Sequence, residues 1–394
     1  MLLGILKSMV NEIKRAGIFC FYEKDGIVDD FVEYLLQEME KCVDKLYIIV
    51  NGELCDSGRN KLNKYSHNLY IRNNVGFDGG AYADFFVNYI DIEEISSWDE
   101  LVIFNDTFFG PIISVENIFE KMSLNDVDFW GMRYVDRNVC NYIESYFLVF
   151  RSDIVKNREL YYYFVDNYIY LCNATYRETC SAFERGLFGY LTSKGYSFGS
   201  FVKDNRYDIF FEPDVNMVKC GLPIIKKKCL NTDKYSKSVL DICFKYIITK
   251  TDYDINLIYN FYERVYEKKY ILEEIDNEMV AERIKCAEPI PVYDVTEERL
   301  LRFLRNNNDI YIYGAGFIAG NVWWEYKYYI INMKGFVVSD KKHVDRYFGL
   351  SVYSVDDIPV NSNIIVALGK ENAAEVAENI IYKHNTLFLY DINI

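Results

Sequence analysis

The stretch YIRNNVGFDGGAYADFF, Tyr70–Phe86, decides how the chain is read. Three glycines, Gly76, Gly79 and Gly80, lie within five positions, with Asn73 and Asn74 ahead of them and Asp78 among them. LYIRN reads as the end of a strand and AYADFFVNYI as a helix. Glycines between a strand and a helix let backbone approach a ligand and leave helix N–H groups for an anion. The same letters also describe a tight turn before a well-capped helix. Which reading holds depends on the neighbouring segments.

Upstream, GIFCFYEKDG (Gly17–Gly26) is an apolar strand running into a polar loop. IVDDFVEYLLQEMEKCV has the helical period. KLYIIVNG (Lys45–Gly52) is a second apolar strand ending in a turn pair. Downstream, LVIF (Leu101–Phe104) leads straight into Asn105-Asp106-Thr107. This β-α-β-α-β succession predicts an α/β fold with a mostly parallel sheet and right-handed crossovers. Ligands of such sheets bind beyond the C-terminal strand ends. The loops Tyr22–Gly26, Asn51–Gly52, Asn74–Gly80 and Asn105–Thr107 all fall there, which favours a nucleotide-like site.

Val127–Val135 and Ser145–Val155 read as further strands, YYYFVDNYIYL as an aromatic helix, and CSAFERGLFGYLTSKGYSFGSFV as a helix, a Lys194-Gly195 stop and a short strand. Residues 203–232 look irregular and contain Lys226, Lys227 and Lys228 in a row. Such a run is ordinarily a solvated face; the other reading is contact with a diphosphate or an anionic membrane surface. Ser236–Lys285 is helical and rich in Tyr. Ala287–Val295 carries two prolines and looks like a boundary. The expected organisation is a sheet domain over 1–232, a helical connector over 233–295 and a small Rossmann-like α/β domain over 296–394.

Composition narrows the function. The chain has 394 residues, 51% of them hydrophobic, which excludes a disordered protein. A net charge of −15 argues against a broad nucleic-acid surface. Ten cysteines without a CxxC pair, and an apolar opening interrupted at Lys7, point to reduced thiols in a cytoplasmic protein, with contact at a membrane surface at most. The three histidines, His67, His343 and His384, are far apart and show no metal-ligand spacing, so acid–base work falls to carboxylates.

In the C-terminal region Gly314-x-Gly316-x-x-Ala319 follows a strand and opens a helix, the context of a dinucleotide fingerprint, and Asp340 ends the next strand where a ribose-binding acid would sit. An NAD-type cofactor and a domain that only packs or docks are both compatible with it. No Tyr-x-x-x-Lys follows, so epimerase-type chemistry lacks its acid–base pair. Asp106 caps a turn or holds a diphosphate-bridging cation. Glu184 is a helix-start carboxylate or a general base.

In order, FYEKDG, IIVNG, RNNVGFDGGAYADF, LVIFNDTFFGP, DFWGM, SYFLVFRSDIV, FERGL, LTSKGY and LPIIKKK resemble the rhamnan synthesis protein F family of bacterial polysaccharide glycosyltransferases, from Gly17 to Leu230. NNVGFDGGAYADF is more distantly similar to a signature of inverting GT-A glycosyltransferases. The resemblance implies a GT-A-like domain and a nucleotide-sugar donor carrying rhamnose or a related hexose. It also implies a growing cell-surface glycan, lipid-linked, as acceptor. The family's metal-binding triplet corresponds to Asn105-Asp106-Thr107. Only Asp106 is acidic, which leaves dependence on Mg²⁺ or Mn²⁺ open. The superfamily's Glu-Asp pair corresponds to Glu184-Arg185, which makes Glu184 the base. On this scheme Phe21, Tyr22, Asp25, Asn51 and Gly52 border the base and ribose. Asn74, Gly76, Asp78, Gly80 and Asn105 shape the nucleotide and sugar pocket, and Trp130 and Gly131 lie toward the acceptor. The competing functions are a dinucleotide-dependent sugar-modifying oxidoreductase centred on Gly314 and a non-catalytic assembly protein. The Tyr-rich helical middle would suit a homodimer.

Overall fold

The computed structural model describes residues 13–67, 69–202, 206–341 and 344–392. The apolar opening through residue 12, His343 and Asp204 of the irregular stretch lie outside the described residues. The described chain divides into two compact units. The first holds residues up to Arg133, Glu144–Asn173 and Ser197–Glu288; the second holds Tyr134–Ile143, Ala174–Tyr196 and Pro289 onward.

The first unit is built on a mixed sheet. The sheet's strands are β1 (Arg15–Phe21), β2 (Lys45–Asn51), β3 (Leu69–Arg72), β4 (Glu100–Asn105), β6 (Phe129–Val135), β8 (Phe147–Phe150) and β9 (Phe198–Val202); β5 (Phe108–Phe109) and β10 (Ile225–Lys226) form a separate two-stranded sheet, and β7 (Tyr142–Ile143), which pairs with the end of β6, groups with the second unit. The main order is β3-β2-β1-β4-β8-β6, with β9 also pairing β6. β1 pairs parallel with both β2 and β4, and β2 with β3; β8 is reversed against β4 and β6. The β3-β2-β1-β4 half is the doubly wound order, which brings the C-terminal ends of four strands to one edge. The central strands are apolar between their ends because both faces are covered. β1 and β2 each bury six of their seven residues, and β4 buries all six.

The helix Asp30–Glu40 lays Phe31, Val32, Leu35, Leu36 and Met39 on the core. Each such side chain contributes about 1.5–3 kcal/mol of burial. β8 stops at Phe150, short of the expected Val155, and a one-turn helix, Ser152–Lys156, follows. The stretch read as irregular contains a short helix, Pro213–Val218, opened by proline at its first position, as well as β10.

The division of the chain differs from boundaries at 232 and 295. The helices Lys237–Lys250 and Asn256–Tyr266 place Leu240, Cys243, Phe244, Ile247, Ile258 and Tyr262 in the same hydrophobic cluster as β1, β2 and β4, so apolar burial assigns them to the first unit. The hairpin through β7 and the helical run Tyr176–Ser193 group with the C-terminal residues. Gly189 shows why: a β carbon there would stand 2.0 Å from the Glu325 carbonyl oxygen, so the helix carrying it lies directly against the helix Phe317–Tyr326.

The second unit carries β11 (Ile310–Tyr313), β12 (Met333–Val338), β13 (Arg346–Tyr347), β14 (Leu350–Ser354), β15 (Asn363–Val366) and β16 (Asn385–Phe388), in the order β13-β14-β12-β11-β15-β16. Apart from the antiparallel β13–β14 pair it is parallel, as the Rossmann-like reading expects. Among the described residues, no helix is long and apolar enough to cross a membrane.

Candidate active site

Four strand-end loops of the first unit meet through side chains. From the end of β2, Asn51 donates its amide to Asn74 Oδ1 at 2.7 Å and to the Phe77 carbonyl at 3.0 Å. Asn105, at the end of β4, donates to Asp78 Oδ2 at 3.0 Å, and the other oxygen of Asp78 takes the Gly79 N–H at 2.9 Å. The Tyr22 N–H, just beyond β1, reaches Asp106 Oδ1 at 3.3 Å. Asp106 is 4% exposed. Burial, then the nearby Asp78 and Asp106 carboxylates, push the Cys20 thiol well above its ordinary range, placing both acids close to the end of β1.

The lysine run completes this edge. β10 pairs antiparallel with β5, and the Lys227 N–H bonds to the Thr107 carbonyl at 2.9 Å. That backbone ladder delivers Lys227 Nζ to Asp106 Oδ2 at 2.5 Å and Lys226 Nζ to Thr107 Oγ1 at 2.5 Å. Thr107 Oγ1 in turn donates to Asn105 Oδ1 at 2.7 Å. Lys226 also stands 4.2 Å from the Tyr146 ring centroid. The solvated-face reading therefore fails for Lys226 and Lys227, because a two-strand pairing turns them onto the loop after β4.

Arg72, at the end of β3, holds the glycine loop. Its Nε pairs with Asp84 at 2.9 Å, its Nη1 donates to Asn51 Oδ1 and its Nη2 to the Val75 carbonyl at 3.1 Å. Partial burial works against ionisation of Asp84, but hydrogen bonds from Tyr70, Asn88, Arg72 and Tyr168 outweigh it and hold its carboxyl below the usual range. Beside this lies a depression of about 500 Å³ lined by Gly52, Glu53, Leu54, Arg59, Ile71, Arg72 and Asn73. The Tyr22 ring, 46% exposed, faces Gly52, where a β carbon would stand 3.7 Å from it.

Several predicted residues take other roles. Phe21, expected at the border of the base and ribose, is 1% exposed, its ring in the core beside Phe19. Asp25 is exposed, and the acid that organises its loop is Glu23. Glu23 accepts the Asp25 and Ile27 N–H groups at 2.7 and 3.1 Å and meets Arg264 at 3.2 Å. Burial opposes ionisation of Glu23, yet those partners lower its pKa. Trp130 is 1% exposed and edge-packed on Phe119 at 5.3 Å, because β6 lies between β8 and β9 with both faces covered; it presents no face to a sugar.

The glycines of the opening stretch have a packing reason. Gly76 has φ +70°, and a β carbon there would stand 1.9 Å from the Leu171 carbonyl oxygen; at Gly80 it would stand 2.6 Å from the Val75 carbonyl oxygen. Their absent side chains let the helix Phe77–Asp84 lie against the helix Glu159–Asn173. Tyr82 then pins it by donating to the Phe104 carbonyl at 2.7 Å.

Glu184 belongs to the second unit, half-buried in the helical turn Cys180–Arg185. In the same unit Gly314 has φ +122°, and a β carbon there would stand 2.9 Å from the Ala367 carbonyl oxygen. Gly316 precedes the helix Phe317–Tyr326, Ala319 is fully buried and Asp340 is exposed beyond β12. The Tyr347 hydroxyl donates to the Gly316 carbonyl at 2.9 Å.

Local sequence does not single out Arg72, Glu23 or Arg264, and it leaves Lys226 and Lys227 between a solvated face and contact with a diphosphate or a membrane surface. The lysine run was visible, but its partner Asp106 is 121 positions away. Nothing local signals that distance.

A divalent cation finds a poor donor set at Asp106. One carboxylate oxygen carries the Lys227 ammonium and the other the Tyr22 N–H, while both flanking side chains are neutral. Asp78 already uses both oxygens on Asn105 and Gly79. Among the described residues, no three His, Cys, Asp or Glu side chains form a metal-binding group.

Among curated proteins the chain matches the uncharacterized protein y4gN of Sinorhizobium fredii at 24% identity, over 36% of this chain and 37% of that one. The alignment thus spans little more than a third of that relative's length. Similar solved structures include glucosyl-3-phosphoglycerate synthase from Mycobacterium tuberculosis in complex with Mg²⁺ and uridine diphosphate, at 9% identity over 49% of this chain and 83% of that one, with a TM-score of 0.29. Another is 4-diphosphocytidyl-2C-methyl-D-erythritol synthase from Anaerococcus prevotii, at 12% identity over 40% and 78%, with a TM-score of 0.27. The match to the rhamnan synthesis protein F family runs over residues 46–303, well over half the chain. The chain belongs to the rhamnan synthesis protein F family.

Proposed function

We propose that the chain is a nucleotide-sugar-dependent glycosyltransferase that moves rhamnose or a related hexose onto a growing cell-surface glycan. The observation that carries the reading is the meeting of four strand-end loops and two lysines around Asp106 in a chain of this family. A nucleoside diphosphate has three parts to hold, and this edge offers chemistry for each. The exposed Tyr22 ring and the depression beside Gly52 suit a base. Asn74 and Asp78 suit the hydroxyls of ribose or sugar. Lys226 and Lys227 suit the diphosphate.

In the transfer, an acceptor hydroxyl oxygen bonds to the anomeric carbon while the bond from that carbon to the diphosphate oxygen breaks. The electron pair leaves with the diphosphate, and a carboxylate takes the hydroxyl proton. A single displacement inverts the anomeric centre. We assign the base to Glu184 on the family pattern. A lipid-linked acceptor would bring the protein to the inner face of the cytoplasmic membrane.

Thermal shift and donor hydrolysis against a panel of nucleoside diphosphates and their sugar conjugates test the reading. One nucleotide raises the melting temperature and its sugar conjugate is slowly hydrolysed. Failure of every common nucleotide to do either removes the proposal. Glu184→Gln leaves nucleotide binding intact and abolishes transfer; retained transfer removes the base assignment.

A further inference from the structure

We propose that Lys226 and Lys227 are the cationic clamp for the departing diphosphate, and that transfer in this chain needs no divalent cation at Asp106. The proposal rests on the glycosyltransferase reading and deepens it by naming what neutralises the leaving group.

Three observations carry it. First, Asp106 is already neutralised: its Oδ2 lies 2.5 Å from Lys227 Nζ and its Oδ1 takes the Tyr22 N–H at 3.3 Å. A cation would have to displace an ammonium held in a nearly buried ion pair. Second, the lysines are held by backbone and do not drift as surface side chains do. Lys226 is paired with Phe108 across β5 and β10, and the Lys227 N–H is bonded to Thr107. The loop after β4 and the lysines therefore move as one piece. Third, Lys227 keeps a route to solvent, with 20% of its side chain exposed, and its ammonium stands 5.4 and 5.7 Å from the Phe31 and Phe261 ring centroids. An ammonium offers three N–H donors, so Lys227 can keep one on Asp106 and turn others to a phosphate oxygen.

As the bond to the sugar breaks, negative charge grows on the diphosphate oxygen that takes the electron pair. Two ammonium groups fixed beforehand stabilise that charge without reorganising. No proton or electron passes to them; the hydroxyl proton goes to the base and the nucleoside diphosphate leaves as the anion. Asp106 is a positioning residue in this scheme, since it sets where Lys227 stands.

The test titrates the full-length chain calorimetrically with uridine, guanosine and thymidine diphosphates, in excess EDTA and again with Mg²⁺ or Mn²⁺. One nucleotide binds, with affinities in the two conditions within about twofold. Lys227→Ala weakens that binding at least about tenfold, the scale of one charge-assisted hydrogen bond. Added metal does not restore it, and Lys227→Arg retains most of it. Lys226→Ala weakens binding by a similar factor without disturbing the Asp106 ion pair, which guards against a folding defect in Lys227→Ala. Binding abolished by EDTA and restored by metal overturns the clamp and leaves the glycosyltransferase reading standing. So does unchanged affinity in both lysine variants. Absence of nucleotide binding in every condition overturns the glycosyltransferase reading and the clamp with it.

Discussion

At Gly76 in the first unit the backbone turns with φ +70°, and a β carbon would stand 1.9 Å from the Leu171 carbonyl oxygen. At Gly316 in the second, φ is −130° and no atom lies within 4 Å of where a β carbon would be. Both glycines join a strand to a helix, and the second has the more familiar dinucleotide spelling. Their surroundings differ. Asn51, Asn74, Asp78 and Asn105 share hydrogen bonds around the first loop, and the Lys226 and Lys227 ammoniums meet Thr107 and Asp106 on the loop after β4. Around the second stand the Tyr347 hydroxyl, on the Gly316 carbonyl, and the Phe348 ring, 2.5 Å from where a Gly320 β carbon would be. The lesson is that a glycine motif acquires a ligand through its neighbours, and its spelling alone does not say whether the glycines serve packing or approach.

The comparison breaks first at Gly76. Gly76→Ala meets both a left-handed backbone and a carbonyl oxygen, and we expect it to lower stability by about 3 kcal/mol, read as a lower urea or thermal midpoint. A midpoint equal to wild type would show that the helix Phe77–Asp84 is free to move away from Leu171. Next comes Asp106→Asn, which keeps an acceptor for the Tyr22 N–H but removes the ion pair holding Lys227. Nucleoside diphosphate affinity should fall about tenfold, in EDTA and in Mg²⁺ alike; a fall seen only in Mg²⁺ would return the site to a metal.

A smaller, pH-dependent effect belongs to the second unit. Burial pushes the Glu325 carboxyl well above its ordinary range, with Glu297 adding to the shift and Arg185 and the Asn141 N–H opposing it. The folded form therefore binds the proton more tightly than the unfolded chain. The stability this contributes is full below the ordinary carboxylate range and is lost as pH rises through the folded pKa. Glu325→Gln should melt above wild type at neutral and alkaline pH, with the gap closing in acid. A gap that widens in acid would reverse the assignment. The smallest effects are at the second glycine turn: Gly316→Ala should change stability by no more than about 0.5 kcal/mol. NADH and NADPH should leave the melting curve unmoved. A saturable shift with either cofactor would give that turn the ligand its spelling advertises.

Much of the framework is legible in the amino-acid sequence. β1 runs into Tyr22, and β2 and β4 end in Asn51 and Asn105, so both the class of these apolar runs and the polar edge follow from local letters. Asn51, Asn74, Asp78, Asn105 and Asp106 were legible as site candidates for the same reason. Phe21 and Trp130 were misplaced because an apolar run covered on both faces gives no alternation to tell an inward ring from an accessible one. The pairing of β10 with β5, and with it the roles of Lys226 and Lys227, was invisible because the partners are more than a hundred positions apart. The purpose of Gly76 was hidden in the same way by Leu171.

The sequence alone thus determined the order of strands and helices, the polar character of their ends and the family resemblance, because periodicity and turn chemistry act over a few residues. Only the tertiary structure decided which glycine is a packing contact, which carboxylate carries an ammonium and which helices complete each unit. Those outcomes depend on pairings between distant segments, whose free energy is set by the surfaces they bury together and leaves no mark on either segment read by itself.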